Sequence, residues 1–390
     1  MSRTFSSFKT SLIAASVAAA AALFAGPASA VEIVLHDLGG NAAVTGTKAE
    51  KGFKIAAKYW ESVLTNDAKI EINVGYAKLD PGVLGGTNSN LLEFLPIDAY
   101  YGALAATGNS ALDALAVSNL SPLNVNGGVS ALVPGYLTPG LGIDVSAGKR
   151  LAPDDAINST LALTTANAKA LGANFAPGTI DARILFSNQY AFDFDPTDGI
   201  KSGYIDFVGV AIHEIGHALG FVSGADDFDY SDGYGGRVDG AWWAYGLDMF
   251  RYGAPGQLDW APVTDAYFSL DGGVSAFYGG YFSTGPINGD GNQASHWKEP
   301  NQQAPCSNFL GTMNPYICGG KMDEVSALDL AAFDAIGWNT SVDVMANPQY
   351  LRSTADIYAE FNVPEPSTMA LLGLGLAGLA FGSRRRAGKA

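Results

Sequence analysis

Two cysteines, four histidines and 22 lysines and arginines are few for a chain of 390 residues, and each scarcity excludes something. Two thiols cannot build a disulfide-stapled scaffold or a four-cysteine metal site. Set against 38 aspartates and glutamates, the cations leave a net charge of −16, which argues against nucleic acid or an anionic membrane surface as partner. Long apolar runs are confined to the two ends. The short supply of imidazole leaves four candidates for any histidine chemistry: His36, His213, His217 and His296.

At the first end, Arg3 and Lys9 introduce the apolar, alanine-rich run from Leu12 to Phe24, and Ala28-Ser29-Ala30 has the small residues of a cleavage site. Residues 1–30 read as a secretory signal peptide rather than an uncleaved anchor, because the run is short for a membrane span. At the other end, Pro364-Glu365-Pro366 leads into 18 uncharged residues from Pro366 to Ser383, followed by Arg384-Arg385-Arg386. Such a stretch reaches about 27 Å as a helix, enough to cross a hydrocarbon core, and the arginines suit a cytoplasmic stop. Motif, span and arginines in that order resemble the PEP-CTERM sorting signal of exported Gram-negative bacterial proteins, over residues 364–390. The resemblance implies transient anchoring in the inner membrane, removal of the tail by a dedicated sorting enzyme, and a secreted or cell-surface destination; a retained anchor stays open as the alternative. With both ends set aside, residues 31–363 hold 16 cations against 37 acids, more acidic still. In this exported part a disulfide between Cys306 and Cys318, twelve residues apart, is favoured over two free thiols.

Periodicity places few elements firmly. Residues 31–35 can open a strand. From Ala49 to Leu64 the apolar residues Phe53, Ile55, Ala56, Tyr59, Trp60 and Val63 form a helical stripe, and Ile70, Ile72 and Val74 alternate as in a half-buried strand. Ala182–Ser187 reads as a second strand, with Ala191–Asp195 extending or pairing with it. Residues 82–90 look mixed, 110–117 helical, and 121–148 loop-like. Val208, Ile212, Ile215 and Leu219 recur at helical spacing, with Asp206 placed as the N-cap. Residues 323–336 are helical again, and no internal repeat is present.

On the helix from 207 to 219, His213-Glu214-Ile215-Gly216-His217 puts two imidazoles one turn apart on one face, within reach of one metal ion. Glu214 is too close in sequence to be a comfortable third ligand; the motif gives it the role of general base towards the attacking water, with zinc as Lewis acid. Gly220 suits a left-handed exit from the helix. A catalytic zinc takes three protein ligands and keeps one position open. The compact pattern would put the third at residue 223, which is Ser223, a poor ligand. Asp226 and Asp227 are substitutes, and His296 is the remaining downstream histidine.

Three islands carry a resemblance. His213 to Phe221, then Ser295-His296-Trp297-Lys298, then Gly311-Thr312-Met313-Asn314-Pro315 look like the leishmanolysin-type branch of the metzincins. The resemblance covers parts of residues 207–336. It implies zinc held by His213, His217 and His296, Glu214 as catalytic base, and Met313 as the Met-turn residue below the metal. Cys306 and Cys318 bracket that turn. Tyr316 falls one residue late for a Met-turn tyrosine and is taken as structural, as is His36. The aspartates at 226, 227, 229 and 232, and those at 193, 195 and 198, offer oxygen ligands for calcium without EF-hand spacing, so solvated loops are the preferred account.

The expectation is an α+β, two-lobed, metzincin-like zinc peptidase with a twisted mixed sheet, an active-site helix and a Met-turn. Residues 31–222 form the N-terminal lobe, 223–345 the C-terminal lobe, and 346–363 a linker to the tail. A strand at the cleft edge, with Ala182–Ser187 the candidate, would pair with extended protein or peptide substrate. The rival reading is a non-catalytic exported surface or matrix protein with a degenerate or structural metal site.

Overall fold

In a computed structural model the described residues are 30–135, 137–138, 142–143, 148–230, 244–301 and 309–362. The signal-peptide and sorting-tail expectations, Asp232 and Cys306 lie outside them.

The chain opens with strand β1 (Glu32–Asp37), helix α1 (Lys48–Val63) and strand β2 (Lys69–Ala77). β1 and β2 pair in parallel, so α1 is their crossover. Thr47 caps α1 by accepting from the Ala49 amide, and the apolar stripe read from the sequence is buried along the helix. Glu50 and Lys54 pair on its solvent face. Strands β3 (Gly85–Ser89) and β4 (Ala182–Ser187) complete the sheet in the order β1-β2-β4-β3, with β4 parallel to β2 and β3 antiparallel to β4. Ile72, Val74, Ile184 and Phe186 are buried. Phe53 of α1 packs edge-on to Phe186 and to Phe207, the first residue of helix α2 (Phe207–Ala218), with ring centroids 4.8 and 5.1 Å apart. Sheet, α1 and α2 thus share one core, and Trp60 of α1 donates its indole N–H to the Ile212 carbonyl at 3.0 Å.

Several elements differ from the sequence expectation. β4 is interior, flanked by β2 and β3, so the exposed edge belongs to β3 instead. Residues 85–89, Gly-Gly-Thr-Asn-Ser, lack the apolar alternation of a half-buried strand, which is why this segment looked irregular. Phe192–Asp193 pairs with Ile205–Asp206, not with β4. Ala131–Pro134, inside the stretch read as loop, pairs with Lys149–Leu151 and in parallel with Gln257–Asp259.

Strands from both sides of residue 222 share sheets. Ala244–Tyr245 adds to Thr160–Thr164, which also pairs with Leu91–Pro96, and Gln257–Asp259 adds to Ala131–Pro134. Helix α3 (Ala327–Ala335) starts later than expected because Ser326 caps it, after Glu324–Ser326 has paired as a strand with Leu351–Ser353. Helix α4 (Thr354–Phe361) follows directly. The stretch expected as a linker is therefore folded up to residue 362: Ile357 and Tyr358 are buried, and Thr354 donates its hydroxyl to Asp206. With only three buried residues, one of them the polar Thr354, α4 gives little sequence signal and is held by tertiary contact. The architecture is α+β with several mixed sheets.

Candidate metal centre

Helix α2 begins where Asp206 accepts from the Gly209 amide at 3.1 Å. The helix is buried almost all round, more deeply than a one-sided stripe implies. Its last turn ends at Gly220, whose φ of 119° is open to glycine and strained for other residues. The turn brings the Phe221 amide to the Gly216 carbonyl at 3.2 Å and the Phe221 carbonyl to His217 Nδ1 at 2.7 Å. The glycine three residues after His217 thereby orients the histidine ring. On another side Met313 packs against Gly216; a Cβ there would lie 2.6 Å from the Met313 sulfur.

His213, His217 and His296 come together. Their Nε2 atoms lie 3.0 Å (213 to 217), 3.2 Å (213 to 296) and 3.2 Å (217 to 296) apart. Each Nδ1 faces a backbone carbonyl: Thr312 O at 2.7 Å for His213, Phe221 O at 2.7 Å for His217 and Gln293 O at 3.2 Å for His296. Nδ1 donates to those carbonyls, which leaves three Nε2 lone pairs converging. Burial lowers His213 to about 4, and burial with His213 nearby lowers His217 to about 3; burial and both neighbours hold His296 well below the ordinary range. Three neutral imidazoles are the donor set that a divalent transition metal takes.

Glu214 is buried beside them. Burial pushes its carboxyl up to about 7, against the opposing pull of a hydrogen bond from Thr87. Thr87 Oγ lies 2.7 Å from Glu214 Oε2 and 2.8 Å from the Glu214 carbonyl oxygen. The group opens onto a cleft of about 1020 Å³ bounded by β3, the three histidines, Asp227, Tyr245 and Tyr316.

Residues 362–386 match the PEP-CTERM protein-sorting motif. The chain carries an export and sorting signal at its C-terminal end. That signal marks it for the surface or exterior of a Gram-negative cell and for handling by a C-terminal sorting enzyme. No curated protein and no solved structure matches the chain. Among the described residues no helix is long and apolar enough to cross a membrane, and the span read at 366–383 lies outside them.

The other candidates separate into different roles. Asp226 is committed to the His296 loop, accepting from the Ala294 amide at 2.6 Å, the Ser295 amide at 2.9 Å and the Ser295 hydroxyl at 2.5 Å. Ser223 donates its hydroxyl to Asp248 at 2.6 Å and its amide to the Ser295 hydroxyl at 2.9 Å. Asp227 borders the cleft and bonds to Tyr245. Asp229 accepts from the Ile287 and Asn288 amides and the Asn288 side chain. Asp193 pairs with Lys201, and Asp195 caps the turn at 196–198. Among the described residues the three histidines form the group of three or more metal-type side chains whose ligand atoms converge; neither aspartate cluster does. His36, on the outer strand β1, lies 2.6 Å from Glu71 of β2 through Nε2 and Oε2. Cys318 is disulfide-bonded, and its expected partner Cys306 lies outside the described residues.

Asp329, at the start of α3, escaped the sequence reading. Its carboxylate accepts from the Trp297 indole at 2.8 Å, the Thr312 amide at 2.9 Å, the Met313 amide at 3.2 Å and the Ser326 amide at 2.8 Å. One side chain so joins the residue after His296 to the turn whose carbonyl orients His213. A capping pattern, serine followed three residues later by an acid, was its one visible signal.

Proposed function

We propose that this chain is an exported zinc-dependent endopeptidase of the leishmanolysin-like metzincin type. One observation carries the reading: three Nε2 atoms lie 3.0–3.2 Å apart while every Nδ1 is engaged by a carbonyl. Three lone pairs facing one another repel unless a cation sits among them. A tetrahedral ion with ~2.0–2.1 Å bonds to nitrogen wants its ligand atoms roughly 3.3 Å apart, close to what the histidines offer. Imidazole suits several transition metals, and the His-Glu-x-x-His order favours zinc.

Zinc, when bound, would polarise the scissile carbonyl and make water a better nucleophile near neutral pH. The remaining work falls to the chain. Glu214 takes the proton of the attacking water and returns it to the leaving amine. The free edge of β3 runs along the cleft and can pair with an extended peptide backbone, which supports peptides over small molecules as substrates. Met313 fills the space beneath the helix as the Met-turn residue.

The test is metal content and casein cleavage of the exported chain, with and without chelator. One zinc per chain is expected, with cleavage lost in chelator. Glu214→Ala should keep the zinc and lose roughly 100-fold or more in kcat, while His296→Ala should lose the metal. Absence of stoichiometric zinc, or cleavage indifferent to Glu214→Ala, would overturn the proposal in favour of a non-catalytic surface or matrix protein.

A further inference from the structure

We infer that Thr87, with Gly85 beside it, is the positioning residue that seats the Glu214 carboxyl group, so that the strand edging the cleft also holds the base. The inference rests on the reading of Glu214 as that base.

A buried carboxyl group needs hydrogen-bond partners. The Thr87 hydroxyl is within reach of both Oε2 and the backbone oxygen of Glu214, at 2.7 and 2.8 Å. It has one proton to give and lone pairs to accept with. With Glu214 ionised, the hydroxyl proton points at Oε2 in a charge-assisted bond. When Glu214 has taken a proton, the hydroxyl can turn its own proton to the Glu214 carbonyl and accept from the carboxyl O–H. The hydroxyl makes one of these bonds when Glu214 is ionised and two when it is protonated, and in both states it stays bonded to the carboxyl group. The carboxyl therefore keeps its seat on both sides of the proton transfer.

Gly85 makes room for the other oxygen. It stands two residues from Thr87 and so on the same face of β3. A Cβ on Gly85 would fall 2.8 Å from Glu214 Oε1 and 3.1 Å from its Cγ, which would push the carboxyl off the strand. The seat is anchored, because Gly85 and Thr87 lie opposite Phe186 and Ile184, both buried in the core. Among the described residues no strand pairs with the other edge of β3. A peptide added along that edge would be registered against the same residues that hold the base.

Thr87→Val removes the hydroxyl at nearly constant shape, and Thr87→Ser restores it. For the valine variant kcat should fall roughly 10- to 100-fold, the scale of one lost hydrogen bond to a charged group. KM and bound zinc should stay within about twofold of wild type, and serine should recover most of the loss. A merely structural role would instead lower melting temperature or zinc content without this split in kcat and KM. Gly85→Ala attacks the seat from the other oxygen and should also lower kcat with Thr87 intact. A crystal structure of either variant should show the Glu214 carboxyl displaced from β3. An unchanged kcat in Thr87→Val, in an enzyme that Glu214→Ala inactivates, sinks the inference and leaves the peptidase reading standing. An unmoved Glu214 carboxyl in both variants overturns the inference whatever the activity. Loss of zinc in wild type would sink the peptidase reading first.

Discussion

Where a compact three-histidine site has its third ligand, this chain has Ser223, and that residue is still tied to the site. Its amide donates to the Ser295 hydroxyl, which donates in turn to Asp226. The serine position thus braces the loop that delivers His296 from about 80 residues away. On the zinc reading proposed above, removing the brace should weaken metal binding. Asp226→Ala is expected to weaken zinc binding roughly 10- to 100-fold, as loss of outer-shell partners does, read by competition with a chromogenic chelator. His213 and His217 were legible because helical spacing brings them to one face, and Glu214 through the motif that sets it between them. His296 was legible through the shortage of histidines and the motif around it. Thr87 was not, since its bond to Glu214 spans 127 residues and leaves no local pattern.

At the scale of elements, α2 and α3 announced themselves, while β3 and α4 did not. Strand patterns come from burying one face against apolar partners, and β3 meets a carboxyl group through glycine and threonine instead. α3 matters through its first turn, where Asp329 holds Trp297, Thr312, Met313 and Ser326 together. Asp329→Ala would leave several buried donors unpaired and should cost about 3 kcal/mol or more, measured by urea unfolding. The other end of α3 meets the helix Ala111–Ser118 through Asp334 and Asp113. Burial first, then the Asp113 charge, raise Asp334 from 3.8 to about 8. The folded chain then binds this proton more tightly than the unfolded one, so the contribution to stability is greatest below pH 3.8 and declines as pH rises towards 8. Asp334→Asn should remove that decline. Its melting temperature relative to wild type should be higher at pH 9 than at pH 5; an equal offset at both would contradict the carboxyl pairing.

Across the whole molecule, the α+β class and the sorting tail followed from sequence, whereas the way the halves interlock did not. Nothing in composition foretells that Ala244–Tyr245 and Gln257–Asp259 will complete sheets begun before residue 165. Shared sheets of this kind have a kinetic consequence for the histidine cluster. His213 and His296 lie 83 residues apart in sequence, and the turn that orients His213 is clamped by Asp329, further on again. Contacts so distant along the chain close slowly. A polypeptide threaded outward from its N-terminal end would carry His213 and His217 across well before His296 and α3 could join them. The cluster cannot close until residue 296 has emerged, and its orientation by the Thr312 carbonyl waits on Asp329.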